Sequence, residues 1–388
     1  MDCPAQALIE TPSKGPYFGP ALPTPSKESA NLDFLRTIAV LLVVFGHVAY
    51  FHGLVALGPM NLLSMGTLGV QLFFVHTCLV LMLSLERQWE SHGAAESSVK
   101  FSVGFMIRRC FRIYPLSMAA VLLVTLFHLP LAIVAPRHFY GFKPDGGDLI
   151  SSLFLVENLT HRLPILGPIW SLTFEMGMYL FLPCIFLLMR PNRSIWRIAA
   201  IWMLIIGFDI AVFRHASDAN LALFAPCFLP GAIAYQIQRT TRPRLPGFLW
   251  PVVMAALVLL FFCFGYNWPK IAGQNWLKPW AACIFLGLAI PMFLQISSRW
   301  LVVASHLIAK YSYGIYLTHF FSIWFAFERL GHLPTIEKIS LFAVLVTGLP
   351  VIFYHALEEP MTRLGKRVAD SYARGPHPRK VVALQTSS

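Results

Sequence analysis

The stretch from Leu32 to His52, LDFLRTIAVLLVVFGHVAYFH, narrows the choice of fold more than any other. It is apolar enough to span a bilayer, yet it carries Arg36 and His47. Eleven residues separate them; at 100° per residue that is three turns plus about 20°, so both side chains share one helical face, roughly 16 Å apart along the axis. Ionisable groups inside a membrane span are costly and face protein or a water-filled path rather than lipid. The expectation is a buried site reached from the membrane surface, with Arg36 at the membrane edge and His47 near the middle.

The rest of the chain agrees with a membrane setting. Only 12% of its 388 residues are charged and mean hydropathy is +0.64, whereas soluble domains average about 25% charged residues. Apolar runs of spanning length fall at 34–55, 66–85, 113–134, 169–189, 195–213, 219–237, 248–265, 277–296, 311–328 and 338–357. The sequence therefore predicts an all-α, polytopic integral membrane protein with about ten transmembrane helices. A further apolar stretch, 149–159, is too short to span and is expected at the surface or re-entrant.

Charge placement fixes the expected orientation. With the N-terminus cytoplasmic and the helices alternating, 22 of the 30 lysines and arginines fall in cytoplasmic segments and 8 in outer ones. This is a positive-inside bias, and it places both termini in the cytoplasm. Trp196, Trp250, Trp268, Trp276 and Trp300 lie near expected helix ends, as an aromatic belt does. The net charge of +12 comes from short basic clusters between apolar runs, a pattern of topology rather than of nucleic-acid binding. The expected organisation is a disordered cytoplasmic tail over 1–30, a membrane domain over 31–367 and a disordered basic cytoplasmic tail over 368–388. The seven cysteines form no CxxC pair and mostly sit in apolar runs, so neither a disulfide framework nor a metal site is expected.

Five places carry candidate chemistry. Arg36 and His47 pair a positive charge near the cytoplasm with a deeper base able to exchange a proton near neutral pH. In IRRCFRIYP, residues 107–115, Arg109 and Arg112 share a face at the expected cytoplasmic entrance of the third helix, and Arg108 points elsewhere. Guanidinium forks match phosphate oxygens, although on the residues alone ordinary positive-inside anchoring is the preferred explanation of such a cluster. In GPIWSLTFEMGMYLFLP, residues 167–183, Ser171, Glu175 and Tyr179 follow one stripe. A salt bridge to another helix is the rival reading for Glu175. In KYSYGIYLTHFF, residues 310–321, Tyr316 and His319 are three apart and either line a polar cavity or simply pack. Glu358, Glu359 and Pro360 read as the stop of the last helix. The outer loop 135–168 serves either as a cover for a substrate or as a solvated connector.

Taken in order, these elements resemble the membrane acyltransferase-3 family over nearly all of 31–367. The opening helix is similar to that family's Arg-x10-His element at Arg36 and His47, and RCFRIYP to its Arg-x-x-Arg element at Arg109 and Arg112. IWSLTFEMGMYLFLP is similar to its Trp-Ser-Leu-x-x-Glu helix at Trp170, Ser171 and Glu175. SYGIYLTHF resembles its Ser-Tyr-x-x-Tyr-x-x-His helix at Ser312, Tyr313, Tyr316 and His319, and EEP its terminal Glu-x-Pro at Glu358 and Pro360. One departure lies in the second helix, where GVQLFFVHTCL puts Gln71, His76, Thr77 and Cys78 at positions where the family often reads Gly-Val-Asp-x-Phe-Phe-Val-x-Ser-Gly.

The resemblance implies transfer of an acyl group, commonly acetyl, from cytoplasmic acyl-coenzyme A to a hydroxyl of a carbohydrate or related small-molecule acceptor. The setting it implies is a multi-pass protein of the cell membrane, the bacterial inner membrane in particular. Arg36, Arg109 and Arg112 would hold the donor's phosphates, and His47 would act as general base. Glu175 would assist it, and Trp170, Ser171, Tyr316 and His319 would meet substrate. A secondary transporter with a midplane ionisable site is the alternative, although no internal repeat accompanies it.

Overall fold

The computed structural model describes residues 29–57, 60–62, 64–93, 97–190, 194–213, 221–263 and 276–374. Fourteen α-helices among the described residues carry nearly all of the fold: α1 (Ala30–Phe51), α2 (Ser64–Gln88), α3 (Ser98–Leu126), α4 (Gly146–Phe154), α5 (Glu157–Thr160), α6 (Trp170–Met189), α7 (Trp196–Phe213), α8 (Leu221–Phe228), α9 (Pro230–Gln238), α10 (Leu249–Cys263), α11 (Leu277–Ala289), α12 (Arg299–Ile323), α13 (Thr335–Phe353) and α14 (Glu359–Arg374). Two small antiparallel hairpins accompany them, β1 (Ala56–Leu57) with β2 (Met60–Asn61), and β3 (Ile133–Ala135) with β4 (His138–Tyr140).

Six helical stretches among the described residues are long and apolar enough to cross a membrane: Ala30–Phe51, Ser64–Ser91, Ser98–Leu126, Gly167–Met189, Leu221–Gln238 and Thr335–Ala373. Helices also occupy the other four expected positions, as α7, α10, α11 and α12. Several expected boundaries change. The third span begins at Ser98 rather than 113, because Ser97 caps the polar segment before it by accepting from the Lys100 N–H. It ends at Leu126, and 133–140 turns back as the β3–β4 hairpin. The loop over 135–168 is therefore built rather than a plain connector. The expected helix over 219–237 is broken at Leu229–Pro230, where proline removes a helical donor. Glu358–Glu359–Pro360 does not stop a helix. A π-helical turn, Tyr354–Glu358, leads from α13 straight into α14, which runs on to Arg374.

Three contacts organise the part that matters for the site. Helix α1 lies antiparallel to α2 at close range, since a Cβ on Gly69 would come 2.5 Å from the Ala39 carbonyl oxygen and one on Gly46 would come 2.7 Å from the Gly66 nitrogen. Small residues at such crossings let membrane helices approach backbone to backbone. Helix α1 also runs parallel to α12, tied at successive levels by Asp33 with His306, Arg36 with Ser312 and His47 with His319. At the far end of α1 the β3–β4 hairpin seals the bundle. Phe139 is buried between the rings of Phe51 and Phe320, its N–H donates to Glu328 Oε2 at 2.8 Å, and the Arg137 N–H donates to the Phe51 carbonyl.

Candidate active site

A cavity of about 340 Å³ opens between α1, α2, α3, α6 and α12. On α2 its wall runs from Val70 to Arg87, about 25 Å of helix, so the cavity is long and narrow. Because α1 and α2 are antiparallel, Arg87 lies at the end where α1 begins, the end expected to face the cytoplasm. Arg87 is exposed there, at the mouth.

Four guanidiniums line this space: Arg36 from α1, Arg87 from α2, and Arg109 and Arg112 from α3. Glu175 is the one carboxylate among the lining residues. Arg36 Nε donates to Ser312 Oγ at 2.5 Å, a neutral partner. Arg109 stacks over the Phe105 ring, 5.8 Å from its centroid, and its buried Nε has no hydrogen-bond partner among the described residues. Arg112 faces Glu358, Nη2 to Oε1 3.4 Å, and the Glu358 side chain is 1% exposed. The π-helical turn before Glu358 turns it inward, while Glu359 pairs with Arg363 on the outside. Glu175 accepts a hydrogen bond from the Tyr179 hydroxyl one turn away. Positive charge thus exceeds negative in a space shielded by apolar helices. Unpaired buried charge costs several kcal/mol, so the cavity favours an anionic occupant.

The closed end is aromatic and hydroxylic. The Tyr316 hydroxyl donates to the Pro168 carbonyl at 2.9 Å and lies 2.7 Å from Ser171 Oγ, which donates to it in turn. The Phe73 ring packs edge-on against Tyr316, centroids 6.2 Å apart.

His47 differs from the expectation in its access. Helix α1 ends at Phe51, so His47 lies about 6 Å from the far end of the helix. It is half-buried and does not line the cavity; the rings of Tyr316, His319 and Phe320 stand between. Its hydrogen bonds define the neutral ring. Nδ1 donates to the Val43 carbonyl at 2.8 Å, and the same N–H lies 3.2 Å from His319 Nε2. His319 in turn donates from Nδ1 to the Tyr316 carbonyl at 2.7 Å, leaving its Nε2 as acceptor. Both tautomers are therefore set by carbonyls, and the lone pair of His47 Nε2 is left for a substrate. A Cβ on Gly66 would lie only 3.4 Å from His47 Cε1, so glycine there leaves room beside the imidazole.

The structure thus gathers Arg36, Arg109, Arg112, Ser171, Glu175 and Tyr316 around one cavity, and holds His47 with His319 just beyond it. Trp170 lies outside the lining, packed against Phe174 and Phe224. Arg109 and Arg112 are not at the entrance of α3 but more than ten residues inside it. The lining also includes Tyr179, from the stripe of Ser171 and Glu175, and Tyr313, from the family-like motif on α12, together with Arg87, Ser84 and His76, none of which the sequence singled out as a site residue. Arg87 read as a topology signal, and His76 stood out only as a departure from the family pattern.

Fold and site together define a multi-span helical membrane protein with a cationic cavity open at one end. The family model for the acyltransferase domain matches residues 29–355, and the chain belongs to that family. The curated protein "Acyltransferase MdmB" of Streptomyces mycarofaciens is 27% identical over 256 residues, covering 59% of this chain and 61% of that relative. The match thus spans somewhat under two thirds of the relative's length. No solved structure matches the chain.

Proposed function

We propose that the protein is an integral-membrane acyltransferase that moves an acyl group, acetyl in the simplest case, from acyl-coenzyme A to a hydroxyl of a carbohydrate or related acceptor. Family membership supports the reaction class. The observation that carries the donor is the cavity: four guanidiniums against one lining carboxylate, with Arg109 Nε unpartnered. A phosphorylated donor supplies the missing negative charge, and its thin pantetheine arm suits the narrow 25 Å wall. In this reading there are ten spans, both termini are cytoplasmic, the protein resides in the bacterial inner membrane, and the donor enters at Arg87.

The acyl end then lies toward Tyr316 and Ser171. The acceptor hydroxyl meets His47 Nε2 from the outer end of α1, the rings of Tyr316, His319 and Phe320 move aside to bring the acyl end to it, and His47 removes its proton as the thioester carbonyl is attacked. The new ester forms as the carbon–sulfur bond breaks, and coenzyme A leaves as the thiol after taking up a proton.

Thioester consumption by the purified protein, together with mass spectrometry of envelope glycans and secreted metabolites with and without it, tests this reading. His47→Ala should lower turnover by about 10²- to 10⁴-fold, the usual contribution of a general base. Near-normal turnover in a folded variant rejects the role. Replacement of Arg109 or Arg112 should chiefly raise KM for the donor; an unchanged KM removes that residue from the clamp.

A further inference from the structure

Arg87 is the outermost of the four guanidiniums, and the reading above uses it only to mark the entry. It is exposed at the mouth, lines the cavity, and makes no hydrogen bond or ion pair among the described residues. The arginines around it at this end of α2 are spent on the protein. Arg108 is held by Gln88 Oε1 at 2.5 Å and Asp370 Oδ1 at 2.7 Å, Arg239 by Glu86 at 3.3 Å, and Arg190 stacks over the Trp89 ring, 4.4 Å from its centroid. Side chains on a helix lean toward its N-terminus. On α2 that direction runs from the mouth inward, so the stem of Arg87 leans toward Ser84, which also lines the cavity.

Height decides which anion Arg87 meets. Gly69 stands opposite Ala39 and Val43, and Gly66 opposite Gly46 and His47. Counting along this antiparallel pair puts Arg36 level with His76, eleven residues or about 16 Å inward of Arg87. A pantetheine arm is a chain of roughly a dozen bonds from phosphate oxygen to sulfur, about 14 Å when extended, the reach of about four residues of polypeptide. That length matches the roughly 16 Å between Arg36 and His47 along α1. A thioester brought to His47 therefore leaves the pyrophosphate level with Arg36, with Arg109 and Arg112 on the facing wall. The wall from there to the mouth is left for the nucleotide, whose own anion is the 3′-phosphate on its ribose.

We infer that Arg87 binds the ribose 3′-phosphate of the acyl donor and so distinguishes coenzyme A from its 3′-dephospho form. The inference rests on the acyl-coenzyme A reading above and divides the guanidiniums by depth. Arg36, Arg109 and Arg112 hold the pyrophosphate that both forms carry, and Arg87 holds the group that only one carries. A guanidinium fork matches a phosphate with two parallel hydrogen bonds, and at an exposed mouth that attraction weakens with salt.

Binding to the full chain in detergent or nanodiscs tests the assignment with two probes, acetyl-coenzyme A and acetyl-3′-dephospho-coenzyme A. The wild type should hold acetyl-coenzyme A about 10-fold more tightly, the lower end for a hydrogen bond to a charged group, and the gap should narrow as salt is raised. Arg87→Ala should abolish the preference by weakening acetyl-coenzyme A alone. Arg87→Lys, which keeps the charge without the fork, should retain part of it, and Arg109→Ala should weaken both probes alike. Equal wild-type affinity for the two probes overturns the inference, as does a preference that survives in Arg87→Ala. Equal weakening of both probes in Arg87→Ala also overturns it, because the contact is then to a part they share. Should Arg87→Ala not fold, Arg87→Gln takes its place under the same criteria. Failure of the wild type to bind either probe removes the acyl-coenzyme A reading itself, and this inference with it.

Discussion

Gly69→Ala probes whether the α1–α2 crossing sets the site. The added Cβ would lie 2.5 Å from the Ala39 carbonyl oxygen and 2.8 Å from Val43 Cγ2, where ordinary contact begins near 3.4 Å. The first obstacle is backbone and cannot rotate away, so α1 has to retreat by roughly 0.5–1 Å, at a cost of about 1–3 kcal/mol for overpacking. Ala39 and Val43 sit between Arg36 and His47 on α1, so the same retreat shifts both residues against α12. The Arg36–Ser312 bond at 2.5 Å and the His47–His319 contact at 3.2 Å both depend on that placement. Misplacement of reacting groups by about 1 Å costs on the order of 100-fold in rate. Gly207 in α7 and Gly348 in α13 supply matched controls, because a Cβ at either meets nothing within 4 Å. Thermal unfolding in one detergent and thioester turnover should both separate Gly69→Ala from Gly207→Ala and Gly348→Ala. If all three variants match the wild type in melting temperature and rate, the crossing does not position the site.

Neighbouring glutamates should behave oppositely. Glu358→Gln removes the buried counter-charge of the partly exposed Arg112 and should cost about 1–3 kcal/mol, whereas Glu359→Gln breaks surface i,i+4 pairs with Arg363 and His355 and should cost under about 0.5 kcal/mol; a reversed order in melting temperature refutes the assignment. Tyr316→Phe strands the Pro168 carbonyl and Ser171 Oγ and should destabilise by about 1–3 kcal/mol, more than Ser171→Ala, which leaves the Tyr316–Pro168 bond in place; equal melting temperatures contradict this. On the loop over 135–168 the Arg162 guanidinium holds the Asp145 carboxyl below the usual carboxylate range. A depressed carboxylate stabilises fully above its unfolded pKa and loses that contribution as pH falls through the folded value. The wild-type loop should therefore stay protected from proteolysis below about pH 4, the ordinary Asp pKa, and Arg162→Ala should open it near that pH; identical acid profiles exclude the tie.

The class of fold was legible because it depends on apolar run length, and six helical stretches among the described residues are long and apolar enough to span a membrane. The partners of Arg36, Arg109 and Arg112 were legible as far as helical periodicity reaches: residues three, four or eleven apart share a face. What such spacing leaves open is height and opposition. Nothing in SSVKFSVGF announces a helix, since its valines and phenylalanines alternate with a period of two, so the sequence starts α3 some fifteen residues late and puts its arginines at an entrance rather than inside the wall. Glu358 was invisible as a partner of Arg112 because its inward aim depends on a π-helical turn, a backbone detail without a composition signal. Arg87 was assigned by charge to topology, and charge alone does not distinguish a membrane anchor from the rim of a cavity.

The placement of His47 shows where reasoning from one helix stops. Arg36 and His47 do share a face of α1, and both meet α12, as the spacing requires. A common face fixes direction around the axis and leaves the depth of the opposing surface free. Beside Arg36 that surface is Ser312, small enough to leave a cavity; beside His47 it is His319 and Phe320, which fill the space. One helical line therefore opens onto a guanidinium-lined cavity at one level and onto a ring-packed imidazole at the other, with Tyr316 joining the two through its hydroxyl on the cavity side and its carbonyl on the histidine side. The two features that first marked the chain are thus linked through α12: Arg36 shares the cavity with the Tyr316 side chain, and His47 meets His319, which the Tyr316 carbonyl holds.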